Sequence, residues 1–342
     1  MYARRRLLGT AGLLTASAAT GACSAGKPKP AARPSTLERI TYLTAFGTFG
    51  REGYAWVARD KGFFAEAGLQ VDIKPGAAGD LNLKTLAAGQ AQFAVIDYAG
   101  ALVRAGTGAF DPFRAVAALT DRTLIALMSL AGYGIQAPLD LKGKAIGQAQ
   151  GAVIKTLFPA YARMAGLDPD TVRWLEFTPQ ELPALLASRR VDAIGQFVVG
   201  QPAIAKAGGG RDVVVLPYSN YLGDLYGNVL VTRTDLIQNR PDLVQRFTAA
   251  LLRGLVYATS HPEEAGQLLH KAVPATDAAT AAAELTLLGA YVGADPGRFD
   301  APKVRRGIAL LQGLGLFARG FDPEQLVAFD AALASASPRR TS

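Results

Sequence analysis

The sequence predicts an α/β protein of two lobes joined by a two-segment hinge. Three observations carry this. Strand and helix patterns alternate from Leu37 onward, the same order returns after residue 140, and the chain passes between the two sets twice. The chain has 342 residues, enough for one large or two medium domains.

In the first set, Ile40–Thr44 reads as a strand and Tyr54–Ala67 as a helix. Trp56, Phe63 and Phe64 carry that helix's apolar spacing and Gly68 stops it. Leu69–Ile73 is a strand, Asp80–Ala88 a helix with Gly89 closing it, and Phe93–Ile96 a short buried strand. Strands separated by helices of this length imply mainly parallel pairing through right-handed crossovers. The second set repeats the pattern: strand Ala145–Gly147, helix Ala152–Ala165 stopped by Gly166, strand Val172–Phe177, helix Gln180–Ser188, strand Val191–Ile194. An ancient duplication and two ordinary lobes with shared local grammar both account for the echo.

Ala115–Leu130 is strand-like with a polar break at Thr120-Asp121-Arg122-Thr123, and makes one crossing. The other runs from Val213–Leu216 through a Tyr-rich loop to Val229–Thr232. Helices then follow at Pro241–Thr259, Pro262–Ala272 and Asp277–Tyr291. The expected division is 37–122 plus 229–335 for lobe one, 123–228 for lobe two, and 336–342 as a disordered tail.

The N-terminus reads as an export signal. Arg4, Arg5 and Arg6 precede the apolar stretch Leu7–Ala19, and Thr20-Gly21-Ala22 place small residues before Cys23, the single cysteine. Residues 1–22 are the expected signal peptide, with a twin-arginine look, and Cys23 the expected lipidation site. A Pro-rich tether, Ser24–Pro34, follows. One cysteine excludes an intramolecular disulfide and a thiolate metal cluster. The formal charge of +8 includes the three arginines of the signal, and the remaining charges are scattered, which argues against nucleic-acid binding. No later stretch reaches the roughly 18 apolar residues of a membrane span.

Four motifs then occur in order. Trp56-Val57-Ala58-Arg59-Asp60-Lys61-Gly62-Phe63-Phe64 is followed by Gly68-Leu69-Gln70-Val71. Leu86-Ala87-Ala88-Gly89-Gln90-Ala91-Gln92-Phe93, Asp140-Leu141-Lys142-Gly143-Lys144-Ala145-Ile146-Gly147 and Val191-Asp192-Ala193 come next. Together they resemble the thiamine-precursor and alkanesulfonate-type periplasmic binding proteins, the NMT1/THI5-like group, over about residues 40 to 260. The resemblance implies a type II periplasmic-binding-protein fold. It also implies a solute-binding lipoprotein outside the cytoplasmic membrane that delivers a small molecule to the permease of an ABC importer. A monomer without cofactor, metal or catalysis is the expectation, since nothing reads as an oligomer seam and no nucleophile–base pair, metal cluster or phosphate-loop signature occurs. Gly62, Gly89 and Gly143 read as turn glycines needing positive φ.

Candidate ligand contacts are loop residues just after strands, where open α/β sheets bind ligands. The first loop offers Thr44, Phe46, Thr48, Phe49, Arg51 and Glu52. The helix start Gly76-Ala77-Ala78-Gly79-Asp80 offers amides, and Asp97 and Tyr98 follow the next strand. Lobe two offers Gln150-Gly151-Ala152, Gln196, Phe197 and Gln201, and the second crossing adds Tyr218, Tyr221, Tyr226 and Asn228. The many rings favour a planar, pyrimidine-like or other heteroaromatic solute over taurine or nitrate. Asp97 suits either a ligand N–H or the cap of the helix it precedes. Arg51 and Arg122 could pair an anion, but a solvated surface position is the expectation for both.

Two departures matter. Where the pyrimidine-binding branch carries Asn-x-Glu, this chain has Val199-Gly200-Gln201, so the ligand's polar edge differs. Fungal relatives that make a pyrimidine precursor need, by the same resemblance, a histidine, a pyridoxal-phosphate lysine and a Cys-rich segment. The two histidines here, His261 and His270, fall in predicted C-terminal helices. Sulfonate, taurine or nitrate capture on the same fold is an alternative, and a sensory or adhesive surface lipoprotein is a rival of another class.

Overall fold

The computed structural model describes residues 36–77, 79–108 and 112–331. The export segment, Cys23, the tether, Ala78 and the 336–342 tail lie outside the described residues.

Two five-stranded sheets organise the chain. The first contains β1 (Glu38–Leu43), β2 (Leu69–Lys74), β3 (Phe93–Asp97), β4 (Phe113–Ala118) and, from far along the chain, β10 (Asn228–Arg233). Its order is β2-β1-β3-β10-β4. The second contains β5 (Ile125–Leu130), β6 (Ala145–Ala149), β7 (Arg173–Phe177), β8 (Ala193–Phe197) and β9 (Val213–Pro217), in the order β7-β6-β8-β5-β9.

The sheets are mixed, not mainly parallel. β1 is parallel to β2 and β3, and β6 to β7 and β8. β10 runs antiparallel to β3 and β4, and β5 antiparallel to β8 and β9. The cause is connectivity. β5 and β10 are the strands by which the chain enters each sheet from the other, so they travel against the strands built by local crossovers. Spacing of helices and strands reports only those local crossovers.

The two connecting segments lie side by side. The Leu119 N–H donates to Asn228 O at 2.9 Å and the Gly227 N–H to Thr120 O at 3.3 Å. The Asn228 N–H donates to Thr120 Oγ1 at 2.9 Å, and the Tyr98 N–H to Gly227 O at 2.8 Å.

Helices α1 (Gly53–Asp60), α2 (Phe63–Glu66), α3 (Gly79–Ala87) and α4 (Tyr98–Gly106) flank the first sheet. The single expected helix over 54–67 is two, because Gly62 takes φ +79° between them. Gly89 and Gly143, at +71° and +75°, are also left-handed as the sequence implied. Helices α5 (Val153–Met164), α6 (Leu182–Ala187) and α7 (Gln201–Ala207) flank the second sheet.

Beyond β10 come α8 (Thr234–Asn239), α9 (Pro241–Ser260), α10 (Pro262–Ala272), α11 (Ala278–Gly289) and α12 (Ala301–Gly313). Leu243, Phe247, Leu251, Leu255 and Ala258 recur at helical spacing and are buried along one face of α9. That face covers the first sheet. The Phe247 ring stacks on Phe93 at 3.9 Å between centroids and lies 5.4 Å from Phe64 and 5.7 Å from Tyr42. No helix among the described residues is long and apolar enough to cross a membrane.

Gly227 sits where the crossing segments are closest. A Cβ there would meet Thr120 Oγ1 and lie 2.6 Å from Arg122 O, so a side chain must push the segments apart. We expect Gly227→Ala to lower stability by about 1–3 kcal/mol, read by urea unfolding of the ligand-free protein. Unchanged stability would show that the crossing segments are not tightly fitted.

Candidate functional site

The carboxyl ends of β1, β3, β6 and β8 face a common gap between the sheets. A cavity of about 350 Å³ fills it. Ala45 and Phe46 follow β1, Asp97 ends β3, Ala149 ends β6, and Gln196 and Phe197 end β8, all on its wall. Both lobes therefore contribute, as the topology requires. Three helix starts also reach the wall: Gly79 of α3, Gly100 in the first turn of α4, and Val153 of α5.

The local sequence explains these placements. Gly151 takes φ +73°, turning the chain from β6 into α5. The Gln148 carboxamide oxygen accepts from the Lys155 N–H at 3.1 Å, and the Tyr218 hydroxyl donates to Ile154 O at 3.2 Å. Both hold the first turn of α5 against the sheet. Opposite, Asn82 fixes the β1 loop: its side-chain nitrogen donates to Thr44 O and Val95 O, each at 2.9 Å. The Gly76 and Ala77 amides, candidates for a ligand, are already bonded to Thr44 Oγ1 and Asn82 Oδ1.

The structure brings Phe46, Gly79, Asp97, Gly151 and Phe197 together on the wall. Asp97 does one of the two jobs the sequence allowed, the cap. Its Oδ1 accepts from the Ala99 and Gly100 amides at 2.9 and 3.2 Å, capping α4. Its Oδ2 is sealed from solvent and has no hydrogen-bond partner among the described residues. Burial, opposed by those two amides, pushes its carboxyl up to about 7.

The other candidates lie elsewhere. Tyr98 is fully buried, edge-on to Tyr226 at 5.4 Å, and Tyr226 accepts from the Asp300 N–H at 2.8 Å. Tyr221 packs on Tyr161, which stacks on Tyr218. These tyrosines build a core behind the wall, where the rings pack on one another and the Tyr218 and Tyr226 hydroxyls are bonded to backbone. Thr48 gives its carbonyl to the Thr276 hydroxyl, and Phe49 stacks on Phe46 at 6.3 Å, one layer behind it. Gln150 is exposed, and neither it nor Gln201 is on the wall. Arg122 lies over the Tyr291 ring at 4.4 Å, also away from the cavity.

Arg51 corrects the sequence reading most sharply. It is 2% exposed and on the cavity wall, not on a solvated surface. Its guanidinium lies 4.4 Å from the Phe49 ring and 5.2 Å from Phe197 of the facing lobe. Its backbone N–H donates to Glu284 Oε2 at 3.0 Å, while its Nη1 stands 3.8 Å from that oxygen. Beside it, Glu52 is buried, accepts from the Tyr54 hydroxyl at 3.1 Å, and has its carboxyl pushed up to about 7, mainly by burial. Burial raises Glu284 too. The local sequence carries a signal of this: Arg51 and Glu52 stand between glycines ahead of Tyr54-Ala55-Trp56-Val57-Ala58, a run apolar on every side.

Outside the cavity the lobes also meet through Lys206 of α7 and Asp277, which caps α11, at 3.0 Å. Both are exposed, so the pair contributes little on its own. Among the described residues no cluster of His, Cys, Asp and Glu could hold a metal ion.

Comparison with known proteins agrees with this architecture. Relatives from Brucella abortus, carrying only a general binding-protein name, are 24% identical over 216 residues. The match spans 63% of this chain and 66% of theirs, just under two thirds of their length. The riboflavin-binding protein RibY of Chloroflexus aurantiacus is 26% identical over 268 residues, 74% of each chain. A protein of Legionella pneumophila named 4-amino-5-hydroxymethyl-2-methylpyrimidine phosphate synthase is 24% identical over 247 residues, 71% of this chain and 76% of its own. Among solved structures, the periplasmic nitrate-binding protein NrtA of Synechocystis superposes with a TM-score of 0.70 at 14% identity, covering 88% of this chain and 90% of its own. The aliphatic sulphonate-binding protein SsuA of Escherichia coli gives 0.65 at 17%, covering 85% and 92%. These likenesses show the periplasmic-binding-protein fold. The family profile described as NMT1/THI5 like matches residues 54–265, more than half of the sequence, and the chain belongs to that family.

Proposed function

We propose that this chain captures a small planar, heteroaromatic solute between its lobes, outside the cytoplasmic membrane, and delivers it to an ABC importer. The observation that carries this is the interlobe cavity itself. Its volume of about 350 Å³ is at the small end of the range ligand sites occupy. Phe46 and Phe197 come to it from facing lobes, with Asp97 between helix starts as an acceptor for a ring N–H. A solute touching both walls draws the lobes together, and that change is what a permease could read.

Binding without turnover is part of the proposal. The wall carries no His, Cys, Lys or Tyr to serve as an activated nucleophile or its imidazole base. The relative named as a synthase is the reason to test the point. Export and anchoring at Cys23 remain part of the reading, and nucleic acid has no part in it.

Three experiments test these readings. Phe197→Ala should weaken binding of the best solute in a panel of pyrimidines, flavins, sulfonates, taurine and nitrate by about 1–3 kcal/mol. Tyr226→Ala should instead lower stability with little change in affinity. The reverse pattern, measured by calorimetry and thermal unfolding, would move the site. Cys23→Ser should shift the protein from the membrane to the soluble fraction of fractionated cells, and a variant still membrane-bound would end the lipid-anchor reading.

The third concerns pH. Asp97 and Glu52 titrate near 7 when folded but near 4 when unfolded, so the folded chain holds protons that the unfolded chain releases. Ligand-free stability should fall as pH rises from about 5 to 8, by about 1–3 kcal/mol per group. Carboxylates held low, such as Asp140, Glu181 and Asp242, act below that window. Asp97→Asn keeps a capping side chain and should flatten the decline. An unaltered slope would show that Asp97 is ionised at no cost.

A further inference from the structure

Arg51 is the one fully buried cation on the cavity wall, and none of its three side-chain nitrogens has a hydrogen-bond partner among the described residues. A guanidinium has five N–H donors and cannot shed its charge at any ordinary pH. Buried donors are nearly always satisfied, so a guanidinium left with none calls for an explanation. Glu284 does not supply it. At 3.8 Å its oxygen is beyond hydrogen-bond distance of Nη1, and it already accepts from the Arg51 backbone. The rings of Phe49 and Phe197 meet the faces of the guanidinium and satisfy no N–H.

The charge balance around the cavity points the same way. Burial raises the carboxyls of both Glu52 and Glu284, and the Arg51 charge opposes it in each. Asp80 is paired with Arg104 at 2.8 Å. Asp97 gives one oxygen to the start of α4. The amino ends of α3 and of α5, a helix of 12 residues, face the same space and add positive potential.

Resting on the solute-binding reading above, we propose that the solute carries an oxyanion, a carboxylate or sulfonate on a planar ring, and that Arg51 is the residue that receives it. The oxyanion supplies the acceptors that the guanidinium lacks. Its ring lies between the aromatic walls, and Asp97 Oδ2 is left for an N–H on its far edge. Because the Phe197 ring sits 5.2 Å from the same guanidinium, the anion is read where the two lobes meet.

The test uses matched acid and neutral probes on the purified full-length protein: nicotinate against nicotinamide, orotate against uracil, and benzenesulfonate against benzenesulfonamide. Affinities are read by isothermal titration calorimetry. The acid of at least one pair should bind at least about tenfold more tightly than its neutral partner. That preference should vanish in Arg51→Met and survive in part in Arg51→Lys. Should Arg51→Met fail to fold because Glu284 is stranded, the double variant Arg51→Met/Glu284→Gln removes both charges and takes the same test. Neutral probes that bind as well as the acids, with Arg51→Met unaltered, would overturn the oxyanion assignment and leave the solute-binding reading standing. No binding by any probe would overturn both the oxyanion assignment and the heteroaromatic reading.

Discussion

The pair of segments that cross between the sheets is the constraint on which the rest depends. Residues 119–124 and 218–227 run side by side, tied by the amides of Leu119, Gly227 and Asn228 and by the Thr120 hydroxyl. Because the chain crosses twice, each sheet receives one strand from the other lobe, and that strand runs against its neighbours. Because the remaining strands are built by local crossovers, their carboxyl ends point to one gap. The cavity is therefore a product of connectivity before any particular side chain is chosen.

Side chains then divide into those that build the wall and those that support it. Phe46 and Phe197 are partly exposed to the gap, whereas Tyr98, Tyr218 and Tyr226 are buried behind it. The tyrosines keep loops and helix starts in place: Tyr218 bonds Ile154 O under α5, and Tyr226 accepts from Asp300 at the head of α12. The buried cluster of Arg51, Glu52 and Glu284 is of a third kind. It places a fixed positive charge beside carboxyls that burial pushes toward their protonated forms, an arrangement with unmet hydrogen-bonding capacity on the protein side.

Much of this was legible in the sequence, for physical reasons. Strand and helix periodicity located all ten strands to within a few residues, since burial on one or both faces writes itself into local pattern. Gly62, Gly89 and Gly143 announced left-handed turns because other residues resist that conformation. Strand direction was not legible, because β5 and β10 pair with residues remote in sequence. Nor was the division of the rings: Phe197 is the last residue of its strand and Tyr98 the first after its own, yet one is wall and the other core. Which way a ring turns depends on what packs behind it, as Tyr226 turns toward Phe299 from a distant loop. Arg51 was read by residue type, since arginine is mostly exposed. Its burial comes from α11, whose Glu284 is encoded far downstream.

The double crossing also sets an order of assembly. β10 lies between β3 and β4, so the first sheet stays split until the whole of the second lobe has been made. Every strand of the second sheet, by contrast, falls within residues 125–217, an unbroken stretch. The second lobe can therefore condense from contacts of moderate sequence separation, while the first must hold β3 and β4 apart and unpaired on their facing edges. Long-range pairings of this kind slow folding and leave strand edges open to wrong partners. The slot between β3 and β4 is therefore filled only after residues 125–217 have left the ribosome ahead of β10.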